Sequence, residues 1–472
     1  MPAFPRLSLP LGFALLALTA SLPAAPAPEL RVGAARVDIT PPAGMPFQVP
    51  QVPPFPVITA EGVHDPLHAK AVVFESGETR AAIVACDLTS IPLDIITAAR
   101  AKVGELTRVP PANVLISATH THTVPNIRPR FFRNANPAQM EIARAYIARL
   151  PELIAESVKQ AEARLAPARL QAALGEVHGV AFNRRFLMKD GVVMSNPAKG
   201  RDELLVDIVR PAGPTDPSLP VILLETPAGE PLATMINFSM HLDTTGGLRY
   251  SADFPHVVAR ILADIRGPAM LTHFTTGACG NINHYQLLDP RRPRRVKGTT
   301  EAARIGTLLA AEVVRAYDRL RPLAAASLKV TRENVTLRML KEKSDKFIAD
   351  EGPRPAFHDG EVTQRLVDGR YVFDAEVMVI SLGDELAYVG VPGELFVELG
   401  LAIKQGSPFQ FTVIDELANG SIGYIPNRKA HAEGAYGASA QTTRCDPGSG
   451  EALVESAIRQ LIAHRAIQPT AR

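Results

Sequence analysis

Short apolar runs rich in β-branched residues alternate with longer stretches of helical period along nearly the whole chain. That alternation restricts the fold more than any other feature of its 472 residues. Residues 70–74 (KAVVF), 81–88 (AAIVACDL), 112–119 (ANVLISAT), 170–178, 221–225, 233–239, 269–274 and 386–391 have the length and composition of strands. Residues 93–106, 138–165, 302–320, 394–404 and 450–463 have helical spacing, and Pro92 just before the first suits a helix start. Strands feeding alternately into helices predict an α/β architecture with a mixed sheet. Residues 31–40 (RVGAARVDIT) open it with a strand stopped by Pro41 and Pro42. Residues 327–338 and 371–380 add further β-type segments, and the charged residues 341–359 between them read as a surface insertion. No fixed-period repeat and no Gly/Ser linker divides the chain, so residues 28–472 read as one catalytic-sized domain.

Composition excludes two classes of protein. With 46% hydrophobic and 21% charged residues the chain can bury a large core, which rules out disorder as its overall state. Its 50 Lys and Arg against 48 Asp and Glu leave +2, with no basic stripe to track phosphates, so nucleic acid is not an expected partner. Residues 1–27 read as an export signal: Arg6 supplies positive charge, residues 11–18 (LGFALLAL) an apolar core, and Ala25-Pro26-Ala27 an A-x-A site. No later run is long and apolar enough for a membrane span, so the expected location is periplasmic or secreted. The odd cysteine count (Cys86, Cys279, Cys445) allows one disulfide at most, and a Cys279–Cys445 bridge is compatible with the sequence.

Chemistry concentrates where strands end. Residues 117–126 (SATHTHTVPN) follow the strand 114–117, and residues two apart on a strand point the same way. His120 and His122 would then face one site at the carboxyl edge of the sheet, where α/β proteins bind ligands. Such a pair suits a divalent metal, with one imidazole as ligand and the other as support or acid–base group, and also suits two exposed loop histidines. His241, in NFSMHLDTTGG (237–247), occupies a similar strand end, where a lone histidine serves packing as readily as binding. TTGACGNINH (275–284) is a glycine-containing polar turn of the kind that brings backbone N–H groups to a ligand. In VPGE (391–394), Glu394 reads either as a site carboxylate or as a first-turn acid favoured by the helix dipole. Tyr424 and Tyr436 bracket a loop through GYIPN (423–427) and AEGAYGAS (432–439).

Taken together and in order, these segments resemble the catalytic domain of the neutral/alkaline (non-lysosomal) ceramidases. GAARVDITPPAG is similar to that family's opening strand and turn, and IVACDLTS to a strand that follows. SATHTHT resembles its T-H-x-H-S segment, FNRR (182–185) its N-R-S segment, and NFSMHLDTTGG the segment of its second zinc histidine. VPGELFVELG resembles P-[GA]-E-F, and GYIPN with AEGAYGAS resembles Y-V-T-T…Y-E-G. The resemblance implies a mixed-sheet zinc hydrolase domain with Zn2+ held by His120, His241, Glu394 and Tyr424. His122 is then the implied proton shuttle, and Arg184 the implied oxyanion or substrate contact. Such a zinc would acidify a water and polarise a carbonyl oxygen.

Two departures bear on the substrate. Where the family has G-D-V-S-P-N, this chain has Gly280-Asn281-Ile282-Asn283-His284, so Asn283 takes the place of a serine and cannot act as a serine-type nucleophile. The chain also ends at Arg472 without the family's immunoglobulin-like C-terminal domain. The expected activity is therefore hydrolysis of an amide (N-acyl) or ester bond in a small or lipid-like substrate. Long-chain ceramide is expected to be a poor substrate. Arg128, Arg130 and Arg133 beside the HxH pair suggest a polar or negative head group, being equally compatible with facing solvent. The alternatives are a zinc hydrolase of a non-lipid substrate and a non-catalytic binding protein on the same scaffold.

Overall fold

The computed structural model describes residues 29–47, 57–128, 135–197, 202–289, 296–324 and 327–465. Residues 1–27, read above as an export signal, and both Arg130 and Arg133 lie outside these residues.

One topological unit is used three times. In the first, Arg31–Asp38 pairs antiparallel with His68–Ser76, which pairs antiparallel with Thr79–Cys86; that strand then lies parallel to Val114–Ala118. The helix Leu93–Leu106 makes the crossover between the parallel strands, and the helix Pro137–Glu162 follows. The second unit repeats the pattern with Arg169–Glu176, Ser218–Glu225, Pro231–Phe238 and Leu271–Thr276, crossover helix Phe254–Arg266 and closing helix Thr299–Tyr317. The third uses Leu328–Arg338, Arg370–Leu382, Leu386–Val391 and Phe411–Glu416, crossover helix Val397–Gly406 and closing helix Ser449–Arg465. Parallel strands need such a crossover, whereas antiparallel neighbours are joined by short turns.

Each sheet buries one face under its own helices. Ile83's neighbour Val84, with Ile116, packs on Ile96, Val103, Leu150 and Val158 in the first unit. Val221 and Ile236 meet Val258, Leu262, Leu309 and Val313 in the second, and Val377 and Val389 meet Ile403, Leu453 and Leu461 in the third. The opposite faces share one core: Val72, Ile83 and Leu115 from the first sheet, Ile222 and Met235 from the second, Ile380 and Tyr388 from the third. Inner strands such as His68–Ser76, Thr79–Cys86, Val114–Ala118 and Leu386–Val391 are thus buried on both faces, which is why they read as near-continuous apolar runs.

The third unit carries extra pieces. Residues 341–359 are not a bare surface insertion: Lys341–Glu351 is helical and Ala356–His358 joins the sheet edge. Phe347 and Phe357 stack at 4.1 Å and both make edge contacts with the buried Tyr371, so two half-buried aromatic anchors hold a segment whose charge count suggested solvent. All three cysteines are buried and unpaired, which overturns a Cys279–Cys445 bridge. Cys445 is bridged through its backbone to Met339, while Cys279 lies under His241. No helix among the described residues is long and apolar enough to cross a membrane.

Candidate metal centre

The carboxyl ends of the three parallel strand pairs converge, and the loops leaving them carry the polar side chains. The middle strands end at Cys86, Phe238 and Val391, and the third residue beyond each is Thr89, His241 and Glu394. The first unit adds His120, two residues past Ala118.

His120 and His122 share a site, but not through strand pleating. The strand stops at Ala118, and His120 has φ of +67°, a left-handed conformation that costs a histidine roughly 1–3 kcal/mol. Neighbouring backbone enforces it: the Thr119 N–H donates to Cys86 O (2.9 Å), His120 N–H to Leu88 O (2.9 Å) and His122 N–H to Leu242 O (3.0 Å). The Thr121 hydroxyl also donates to Ser251 O (2.9 Å), so the HxH loop is stitched to the loop that carries His241. The Asp253 carboxylate fixes that second loop, accepting from the N–H groups of Thr244 (2.9 Å) and Thr245 (3.0 Å).

Both principal imidazoles are oriented from behind. His120 Nδ1 lies 2.7 Å from Thr89 O and His241 Nδ1 lies 2.9 Å from Cys279 O. A carbonyl only accepts, so each Nδ1 carries the proton and each Nε2 lone pair faces the site, the usual arrangement behind a metal ligand. Glu394 Oε2 stands 3.4 Å from His120 Nε2 and 3.3 Å from His241 Nε2, and His122 Nε2 is 3.3 Å from His120 Nε2. The ligand atoms of the three histidines all lie within 4.8 Å of one another.

Glu394 does not open a helix. The helix begins at Val397, and Glu394–Leu395 instead pairs parallel with Tyr424–Ile425. The Glu394 N–H donates to Gly423 O (3.0 Å) and Phe396 N–H to Ile425 O (3.0 Å), which sets the carboxylate beside the Tyr424 hydroxyl. Gly280 allows the TTGACGNINH turn to close against this segment: a Cβ there would collide with the Glu394 carbonyl. Tyr424 OH lies 3.5 Å from Tyr436 OH, and the Arg184 guanidinium sits over both rings, 5.3 and 5.2 Å from their centroids. Arg184 donates to Gly280 O, while its Nε is buried without a partner.

Charge follows from this packing. Burial disfavours a charged His120, but the Glu394 carboxylate outweighs it and raises the imidazole above its ordinary value. Burial, then the neighbouring His120, pushes His122 down to about 3; burial, Arg184 and His120 push His241 down to about 4. Burial would raise Glu394, yet the two histidines hold it well below the usual carboxylate range. The site therefore presents a carboxylate beside neutral His122 and His241, with His120 the imidazole whose proton Glu394 favours; a metal would take that proton's place, since ligation needs the neutral ring. His241 Nε2 and Glu394 Oε2 are both buried with no hydrogen-bond partner among the described residues. Two such acceptors 3.3 Å apart cannot satisfy one another, whereas a cation between them satisfies both, so these residues fit a divalent metal.

The remaining candidates are placed as follows. The Asn283 amide donates to Asn196 Oδ1 (3.0 Å) and accepts from Tyr285 N–H (3.1 Å), committing both ends of its side chain. Asn281 ties Glu398 Oε2 (2.8 Å) to the Val397 N–H (2.9 Å) at the start of the helix Val397–Gly406. Arg128 faces Glu361 at 2.9 Å and Ser421 Oγ at 3.2 Å, so its guanidinium is engaged by a carboxylate rather than turned to solvent. A cavity of about 700 Å3 lies between the Leu93–Leu106 helix and the third sheet, and no candidate ligand lines it. Sequence reasoning missed the carbonyls of Thr89 and Cys279, since a backbone acceptor leaves no mark in residue type. It also missed Glu416, a wholly buried carboxyl that burial pushes up to about 8.

With this geometry the chain matches a neutral ceramidase from Pseudomonas aeruginosa at a TM-score of 0.69, with 18% identity over 94% of this chain and 76% of the other. The chain has the neutral ceramidase fold. A structure of a ceramidase complexed with C2 matches at a TM-score of 0.70, again with 18% identity, over 94% of this chain and 77% of the other. No family model and no curated protein matches the chain. At this identity the ceramidase likeness rests on topology, and the site stands on its own geometry.

Proposed function

We propose that the chain is an exported zinc-dependent hydrolase that cleaves an amide (N-acyl) or ester bond in a small or lipid-like substrate. One observation carries the reading: His120 and His241 both come within 3.4 Å of Glu394, and the His241 Nε2 and Glu394 Oε2 atoms there are buried without a partner among the described residues, within a ceramidase-type fold. His120, His241, Glu394 and Tyr424 are the residues assigned to hold zinc. When bound, zinc supplies Lewis acidity toward a carbonyl oxygen and lowers the pKa of water. His122, neutral at working pH and half-buried at the rim, accepts a proton and returns it to the leaving group. Arg184 offers a buried guanidinium that no carboxylate among the described residues pairs, suited to a developing oxyanion or a negative substrate group. Asn283, with both amide ends committed, lines the site without supplying a nucleophile.

The reading of the head group shifts accordingly. Arg128 is engaged by Glu361, so preference for a polar or negative head rests on Arg184. Hydrolysis of labelled ceramide, N-acyl amino acids and small esters should be compared side by side, with and without a chelator. Chelator-sensitive turnover of an N-acyl or ester substrate with a polar or negative head is expected, with weak activity on long-chain ceramide. Ceramide as the best substrate would make the chain a plain ceramidase, and zinc bound with no turnover of anything would favour a binding protein. Export rests on residues 1–27 and has a direct check. Tagged full-length chain expressed in a bacterium should be recovered shortened from periplasm or medium, and cytoplasmic protein with Met1 intact contradicts it.

A further inference from the structure

Glu416 ends the last strand of the third sheet, beside Val391, and is fully buried. Among the described residues its hydrogen bonds come from backbone N–H groups and a thiol, none from a basic side chain. Its Oε2 accepts from two backbone N–H groups, Cys279 at 3.0 Å and Leu395 at 3.0 Å, and its Oε1 accepts from the Cys279 thiol at 2.9 Å. These two amides belong to different units of the fold. Cys279 carries the carbonyl that holds His241 Nδ1, and Leu395 directly follows Glu394. We propose that Glu416 is a positioning residue: one carboxyl oxygen clamps the His241-orienting turn to the Glu394 segment and so fixes the separation of two metal ligands.

The packing around it makes the clamp specific. The Gly280 N–H donates to Leu395 O at 2.8 Å, so the turn and the Glu394 segment already touch, and Gly280 lets them touch closely. Without an acceptor between them, the Cys279 and Leu395 N–H groups would be buried and orphaned, a state the backbone avoids by shifting. A shift of a few tenths of an ångström there moves His241 and Glu394 relative to each other, since both are anchored to these backbones. Residues behind a ligand commonly govern metal affinity to this degree.

The proposal rests on the metal-centre reading, so wild-type protein is first titrated with zinc; failure to bind would sink that reading and is seen before any variant is made. Glu416→Leu keeps the volume and removes the acceptor. It is expected to weaken zinc about 10–100-fold and to shift the visible absorption bands of the cobalt-substituted protein. In the metal-free protein, amide exchange at Cys279 and Leu395 should accelerate selectively. Glu416→Gln retains an oxygen able to accept from both amides and should restore zinc affinity to within a few-fold. If Glu416→Leu does not fold, Glu416→Asp, whose carboxylate is drawn back by one methylene, should show the same loss and band shift. A folded Leu or Asp variant with wild-type zinc affinity and cobalt spectrum overturns the proposal, as does a Gln variant no better than Leu.

Discussion

Alanine at His120 or at His241 is expected to remove the metal and nearly all activity, while alanine at His122 keeps the metal and loses turnover. The two groups differ in how they are held. His120 and His241 each donate Nδ1–H to a carbonyl and face Glu394 at 3.4 and 3.3 Å, whereas His122 approaches the cluster through its contact with His120. Losing a metal that contributes several kcal/mol to the transition state lowers the rate by about three powers of ten or more. Losing a general acid–base group costs about 10²–10⁴ in turnover with the metal in place. Elemental analysis of the purified variants separates the cases. Metal lost from His122→Ala but kept in His120→Ala would replace the His120, His241, Glu394 assignment with a set built on His122 and His241.

The second large effect is expected at Arg184. Its guanidinium sits against the rings of Tyr424 and Tyr436, donates to Gly280 O and leaves Nε without a partner among the described residues. If it meets charge that develops during reaction, Arg184→Ala lowers kcat by about 10²–10³ with metal content unchanged. Lysine should not rescue it, because an ammonium lacks the forked, planar donors that keep the Gly280 contact while another N–H reaches a substrate. Unchanged kcat with only a lower melting temperature would reduce Arg184 to a packing role.

Much of the fold was legible because strands and helices are local patterns. The helix Leu93–Leu106 follows its apolar spacing from end to end, and the strand Leu386–Val391 follows its apolar run. The helix Phe254–Arg266 was overlooked although Asp253 before Pro255 marks its start, with the carboxylate accepting from Phe254 N–H. The threefold use of one unit left no sequence period, because the units share strand order rather than residues. At the site, histidines and a carboxylate at strand ends can be picked out by type. What aligns them cannot: His120's left-handed backbone, the Thr89 and Cys279 carbonyls, and the parallel pairing that keeps Glu394 out of a helix are all set by segments distant along the chain. Glu416 carries no mark in the sequence, and only its burial between two units distinguishes it.

A site drawn from the ends of three separate units has no local precursor. His120 comes from the first, His241 from the second and Glu394 from the third, so the growing chain holds the histidines long before the carboxylate is made. Whatever is seated among them adds its binding energy only to the fully assembled molecule, and by mass action it draws the last unit into place. Occupancy of this one point therefore acts as a seal on completed synthesis: a chain that lacks the third unit cannot close the ring of ligands, because Glu394 belongs to that unit.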